Sequence, residues 1–426
     1  MKMNWYPEGA GIRSRVMPYL LILMGLASHL STALMSTCMG IGALILLFDI
    51  ARHHEALLAG RWDARMGKVL VIFAITLFVS AAFSLERGRS FHEAVSTLFG
   101  MLPFFLALFY VRSWRLAAAV VGAFAVSAFL NDIIACLQVY FHLNFGWGNR
   151  PVGFSKSPTF LGSFMLMTIP LLFLVPARLF SHLPWKVFCW GCSALSLVVL
   201  FLTQTRGAWI AFFCAVIVIV IVERRYRKAC LGGIAVLLLI CFVAFHAYPE
   251  YYARAEQTFN PEFQSNTERV LMWTAALQIF ADHPIVGIGQ DEFGLVYNRD
   301  YISSEAKERP TDPNNPRSGH GHPHNNFLKV LSERGLVGIA GFLLLHGFVL
   351  VQLVRALRRV NGGLAYAFAL AGILTFIGVQ IEGLTDTNLQ LAHIARTYWM
   401  LMGLCLAAGQ MKDDASVMSE RSQENM

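Results

Sequence analysis

Apolar residues in this chain gather in long runs instead of alternating with polar ones. The runs lie at roughly 18–30, 32–50, 69–85, 94–111, 116–141, 159–177, 186–203, 207–222, 230–247, 335–354, 363–381 and 395–411. Each is long enough, or nearly so, to cross the hydrocarbon core of a bilayer as a helix. A helix satisfies its own backbone groups in lipid, so the pattern predicts an all-α polytopic membrane protein with about twelve transmembrane helices. Nine of these fall within residues 1–247 and three within 335–411. The polar stretch 412–426 reads as a disordered tail.

One region, residues 248–334, breaks this rhythm and is expected to form a large loop outside the bilayer. Within it, Asn266-Thr-Glu-Arg269 leads into Val270, Leu271, Trp273, Ala275, Leu277, Ile279 and Phe280, a helical stretch that stops at Asp282-His-Pro284. Gly287-Ile-Gly289 then turns the chain ahead of Asp291-Glu-Phe293. Residues 299–323 are rich in Pro, Asn, Ser and charge and read as a surface loop. The loop ends in His320-Gly-His-Pro-His324-Asn-Asn-Phe-Leu, where Asn caps a helix whose apolar positions are Phe327, Leu328, Val330 and Leu331.

Composition agrees with the pattern: 56% of the 426 residues are hydrophobic and 14% are charged, with a mean hydropathy of +0.55. A soluble protein of this size is excluded. The net charge of +8 gathers at Lys2/Arg13/Arg15, Arg52/Arg61/Arg65/Lys68, Arg112/Arg115, Arg178/Lys186, Arg224/Arg225/Arg227/Lys228 and Arg355/Arg358/Arg359. These are alternate loops if both termini are cytoplasmic, so the charge reports topology and not a nucleic-acid surface. No cleavable signal peptide is evident, because Met17–Leu30 lacks a small-residue cleavage site and runs into the next span. The eight cysteines lie in or beside apolar spans and form no disulfide framework. Cys189-Trp-Gly-Cys192 has a redox spacing but sits in a membrane helix without a βαβ context, which favours packing.

On this topology Arg150, Arg206 and Arg269 lie on the external side, where the positive-inside rule does not explain them. Guanidinium forks at a membrane rim suit a phosphate or pyrophosphate whose lipid tail stays in the bilayer. Snorkelling toward headgroups is the plainer alternative. His320, His322 and His324 form a tract that resembles a metal-binding one, but no cysteine or further ligand motif accompanies it, so no metal is expected. His324, at the helix start, is the best-placed general base; a simple role in the helix cap is the alternative. Trp147, Trp209 and Trp273 are candidate sugar-path residues or interfacial anchors.

These motifs together resemble the O-antigen ligase and polymerase superfamily of bacterial envelope glycan enzymes. The matching residues are His322-Pro-His324-Asn-Asn-Phe-Leu with Glu333-Arg-Gly-Leu-Val-Gly338, His283-Pro-Ile-Val-Gly-Ile-Gly289 with Phe293, Thr203-Gln-Thr-Arg206-Gly, and Arg150-Pro-Val-Gly-Phe-Ser. The resemblance spans roughly residues 150–400. It implies a lipid-dependent (GT-C-like) glycosyltransferase architecture in the inner membrane, with the large loop facing the periplasm. It also implies transfer of O-antigen from undecaprenyl pyrophosphate to lipid A–core oligosaccharide, by an inverting mechanism without nucleotide, metal or other cofactor. By residue matching, His324 is the essential loop histidine, Arg206 and Arg269 hold the donor pyrophosphate, and Asp386 occupies an acidic position. Arg150, His322 and Asn325 are further candidates for substrate binding. An O-antigen polymerase and a protein O-oligosaccharyltransferase remain open as alternatives. A glycolipid flippase is disfavoured, since no repeat relates the two halves and the polar weight sits in one external loop.

Overall fold

The computed structural model describes residues 12–411 except 59, 62, 225–226, 229–231, 233–255, 257–262, 313 and 361. The described residues form helices and no strands. Helices α1 (Ile12–Leu30), α2 (Thr32–Leu58), α3 (Ala64–Ala82), α4 (Arg87–Gly100), α5 (Leu102–Tyr110), α6 (Trp114–Tyr140) and α7 (Pro158–Leu174) come first. They are followed by α8 (Leu183–Leu202), α9 (Arg206–Val222), α10 (Gln264–Asp282), α11 (Asn326–Arg359), α12 (Gly363–Glu382) and α13 (Ala392–Gly409). Seven described helical stretches are long and apolar enough to cross a membrane, one of them α4 and α5 together (Arg87–Tyr110), and three shorter apolar ones accompany them, Val16–Leu30, Pro158–Leu174 and Arg206–Val222. This is a polytopic membrane protein. The expected span 230–247 lies outside the described residues.

The centre of the bundle is α12, which packs against α7, α9, α11 and α13. In its most apolar window 78% of residues are buried, against 28% for α2 at the periphery. The run expected as one span at 94–111 is two helices, α4 and α5. Pro103 in the first turn of α5 lacks the N–H that a continuous helix would use, so the chain re-enters the helix after Met101.

Two opposite ends of the bundle can be told apart by their polar contacts. At one end Arg61 donates to the carbonyls of Val111 and Ala407, Arg112 to that of Leu57, and Arg178 to that of Gly363. These are the loops in which the basic clusters fall. The loops containing Arg150, Arg206, His324 and Asp386 meet at the other end.

That second end carries its own small core. On α10, Met272, Ala275, Ala276 and Ile279 occupy one helical face and pack with Ile288, Phe293, Val296 and Tyr297. The phenyl ring of Phe293 stacks on Tyr297 at 5.4 Å. Residues 299–323 are laced to this core: Glu268 accepts from the Lys307 N–H at 2.7 Å, and Arg317 pairs with Glu292 at 2.8 Å and Glu86 at 2.9 Å.

Helix α11 has 34 residues, about 51 Å at 1.5 Å per residue, well beyond a hydrocarbon thickness of about 30 Å. It breaks at Gly335, where φ is +60° and ψ is −158°. Such a break strands backbone groups that lipid cannot satisfy. The motif 283–289 supplies the partners: Leu336 and Val337 donate to the carbonyls of Pro284 and Ile285 at 2.8 and 3.0 Å, while Ile288 and Gly289 donate to those of Ser332 and Glu333 at 3.2 and 2.8 Å. A Cβ on Gly287, whose φ is +69°, would stand 2.3 Å from the Glu333 carbonyl carbon. Gly287→Ala is therefore expected to destabilise the protein by about 2 kcal/mol or more, from left-handed strain and backbone clash together. The check is the apparent melting temperature in detergent, with Gly191→Ala, which meets nothing within 4 Å, expected to be near neutral.

Candidate functional site

The polar end of the bundle holds a cavity of about 450 Å³. Its wall is drawn from the α6–α7 loop, the α8–α9 turn, α10, the histidine tract and the α12–α13 loop. His324 sits two residues before α11, next to its N-cap. Asn325, the N-cap, accepts the N–H groups of Phe327 and Leu328 at 2.9 and 3.0 Å and donates its amide to the Leu384 carbonyl at 2.9 Å. Both ends of the Asn325 side chain are thus committed to backbone, and this residue does not line the cavity. Next to it, Asn326 donates to Asn388 at 2.7 Å, and Asn388 donates to the buried Glu382 at 3.0 Å. Glu382 also accepts from Ser163 of α7 at 2.6 Å. The start of α11 is in this way fastened to the loop that carries Asp386.

That fastening brings together His324 and Asp386, 62 residues apart. The Nδ1 of His324 lies 3.1 Å from the Asp386 carboxylate, whose side chain is only 5% exposed. A carboxylate there selects the Nδ1–H tautomer and leaves Nε2 as the proton-accepting nitrogen. The His324 backbone is held at φ +48°, a left-handed conformation that costs about 1 kcal/mol or more outside glycine. Burial pushes the Asp386 carboxyl up, but the hydrogen bond and charge of His324, with the charges of His322 and Arg269, outweigh it and hold Asp386 below the usual carboxylate range.

The neighbouring histidines have other roles. His322 accepts the His324 N–H through its Nδ1 at 3.3 Å, which leaves its Nε2 as a donor. Burial, followed by the repulsion of His324, lowers its pKa to about 3, so His322 is neutral at physiological pH. The ring of His320 faces Tyr297 and Glu308. Nitrogens of His322 and His324 and an oxygen of Asp386 lie within 4.8 Å of one another, a spacing a divalent cation would tolerate. Two of those three atoms already satisfy each other in the His324–Asp386 pair.

Across the cavity stand the cations. Arg206, the first residue of α9, is 8% exposed. It donates to Asn266 at 2.8 Å, with its guanidinium 5.5 Å above the Phe263 ring. Arg269, on α10, faces the same space and has no hydrogen-bonded acceptor among the described residues. Burial draws its pKa down while Asp386 opposes the shift. Arg150 also lines the cavity, but its Nε donates to the Thr203 carbonyl at 2.8 Å and braces the turn that presents Arg206. Lys156 adds a fourth cation.

Of the three tryptophans, Trp147 lines the cavity. Trp273 donates to the Pro323 carbonyl at 2.9 Å and supports the histidine tract, and Trp209 donates to the Leu200 carbonyl. Sequence reading missed Glu268, which is 3% exposed and lines the cavity while tying down residues 307–308. Its place inside an amphipathic helix resembles an ordinary polar position, and the signal that separates it is its one-turn relation to Met272 on the buried face of α10.

Comparison with known proteins adds an independent line. Residues 191–343 match the sequence model of the family described as O-Antigen ligase. That stretch contains Arg206, Arg269, the 283–289 motif and the histidine tract, while Arg150 and Asp386 fall outside it. The chain is also 24% identical over 249 residues to the O-antigen ligase of Salmonella typhimurium strain LT2, an alignment covering 56% of this chain and 59% of that protein. The two matches make residues 191–343 similar to the O-antigen ligase family, in a chain that spans 59% of the length of the Salmonella typhimurium relative.

Proposed function

We propose that the chain transfers a glycan from undecaprenyl pyrophosphate to a sugar hydroxyl of lipid A–core, at the periplasmic face of the inner membrane, with both termini cytoplasmic. The observation that carries this reading is the His324–Asp386 pair set in the same cavity as Arg206 and Arg269. The acceptor hydroxyl gives its proton to His324 Nε2 as its oxygen attacks the anomeric carbon. The bond from that carbon to the pyrophosphate oxygen breaks, and the electron pair leaves on the pyrophosphate. Arg206 and Arg269 hold the leaving group and stabilise the charge that grows on it. One displacement inverts the anomeric centre. Asp386 orients the imidazole and stabilises its protonated form, in the manner of a carboxylate behind a catalytic histidine. Arg150 and Asn325 position the turn and the helix start, and the Nε2–H of His322 is a donor to the substrate.

The purified protein is tested with undecaprenyl-pyrophosphate-linked glycan and lipid A–core, products being resolved on a gel. A glycan ladder on lipid A–core supports the ligase; longer lipid-linked chains in its place make the protein a polymerase. His324→Ala is expected to lower kcat by about 10³-fold in a protein that still elutes as the wild type does. Arg206→Gln and Arg269→Gln are expected to raise the donor KM and lower kcat together. Chelation with EDTA is expected to leave the rate unchanged, and loss of activity restored by one divalent metal would replace this scheme with a metal-assisted one.

The carboxylate yields a separate pH test. The folded-state value of Asp386 lies below the ordinary 3.8. The stability from its ionised form is therefore fully present above the unfolded value and is lost as pH falls through the lower folded one. The melting-temperature gap between wild type and Asp386→Asn is expected to be present at about pH 5 and to close below about pH 4. A gap that persists unchanged in acid would remove Asp386 from its charged role.

A further inference from the structure

A second polar chamber lies on the far side of α11 from the cavity containing His324. It holds about 120 Å³ and is bounded by α3, α4, α11, α13 and the turn before α13. On α4, Glu93, Ser96, Thr97 and Gly100 face it at i, i+3, i+4 and i+7, a polar stripe in the stretch Arg87–Tyr110, which is long and apolar enough to span a membrane. Polar residues at that depth are costly and mark a ligand or a pathway.

The charges of the chamber do not all cancel. Lys329 is paired with Glu333 at 2.7 Å, and Asp291 is held by Arg89. Arg334 makes no hydrogen bond to any described residue, and Arg396 spends one terminal nitrogen on Ser36 at 2.6 Å. The Nε atoms of both arginines are buried without a partner. Arg334 lies in the field of Glu333 and Glu93, and the Arg396 guanidinium is hydrogen-bonded to Ser36 alone among the described residues. His346, 5% exposed, donates Nδ1–H to the Phe342 carbonyl at 3.0 Å, so its buried, unpartnered Nε2 is an acceptor. Gln390 leaves its amide oxygen unpartnered beside it.

Unused guanidinium donors next to unused neutral acceptors call for a ligand that carries both phosphate oxygens and hydroxyl or amine hydrogens. The helices lining the chamber also expose apolar side chains, Val71, Ile72 and Ile75 on α3 and Val95 and Phe99 on α4, a surface suited to acyl chains. We propose that this chamber binds the phosphorylated, hydroxyl-bearing headgroup of a membrane glycolipid, the lipid end of the acceptor. The assignment of that lipid as acceptor rests on the transfer reaction proposed above. Asn326 lines the chamber and His324 lines the reaction cavity, so the two spaces adjoin at the start of α11. The volume admits a phosphate and the edge of one sugar, leaving the acceptor's outer sugars free to reach His324.

The test uses the full chain in detergent, with native mass spectrometry against lipid A–core, its phosphatase-treated form, phosphatidylglycerol and inorganic phosphate. Wild type is expected to retain phosphorylated lipid A–core. Arg396→Gln is expected to bind it about tenfold more weakly, and the dephosphorylated form is expected to bind wild type no better than that. In transfer assays the variant is expected to raise the acceptor KM about tenfold with kcat and donor KM unchanged. Equal lipid retention by wild type and variant, retention of inorganic phosphate or phosphatidylglycerol alone, or a shift in donor KM would each overturn the proposal. His346→Phe, which keeps the ring against Phe342, repeats the comparison if Arg396→Gln does not fold. Absence of transfer by wild type to any acceptor would sink the proposed reaction, while the binding measurement would still decide the chamber.

Discussion

The hydrogen-bonded seam between residues 283–289 and the break in α11 is the constraint on which the rest depends. A membrane helix interrupted at Gly335 exposes backbone donors and acceptors at a depth where water is scarce, and each one left unpaired costs several kcal/mol. The turn segment Pro284–Gly289 answers four of them with its own backbone. Because it is the same segment that leads from α10 into the small cap core, the seam sets the height and direction of α10 and, through it, of Arg269. On the other side of the break, Asn325 and Asn326 lock the beginning of α11 to the α12–α13 loop. The cavity lined by His324 is thus held between two sets of backbone bonds and does not depend on apolar packing alone.

This arrangement explains how charged groups persist at the end of so apolar a bundle. Asp386 is buried but receives a hydrogen bond from His324 and another from the Thr387 N–H at 2.7 Å. Arg206 has Asn266 and an aromatic face. Arg269 is left with charge to offer, and a desolvated, unpaired guanidinium is the kind of group that an anionic ligand completes. His322 accepts the His324 N–H while His324 is backed by a carboxylate, so the two rings expose different nitrogens, a separation that spacing in the sequence does not provide.

Much of this was legible in the chain. The amphipathic face of α10, the asparagine cap after His324, the turn at Gly287-Ile-Gly289 and the tight α8–α9 connection all follow from local chemistry, and local rules carry them. What escaped were relations between distant residues. Nothing between 324 and 386 states that the two side chains touch, since that depends on how α11 and α12 pack. Asn325 read as a substrate ligand because a polar side chain beside a catalytic one looks available, and only the Leu384 carbonyl reveals that it is spent. The continuity of apolar residues concealed the break between α4 and α5, and the charges of the second chamber were scattered over α4, α11 and α13 with no common motif.

The break at Gly335 has a mechanical consequence. Bilayers differ in thickness by a few ångströms, and a long helix adapts to them by tilting. If α11 were one rigid rod, any tilt of its apolar shaft would swing the outer end, and the imidazole with it, by an ångström or more. Here the shaft from Leu336 onward and the short outer segment from Asn326 to Arg334 meet at a joint, and the outer segment is bolted to the cap and to the α12–α13 loop. Leu336 and Val337 of the shaft and Ser332 and Glu333 of the outer segment are tied to the same stretch, residues 284–289, so the placing of imidazole and carboxylate is set by the protein's own backbone bonds and not by the length of one straight helix.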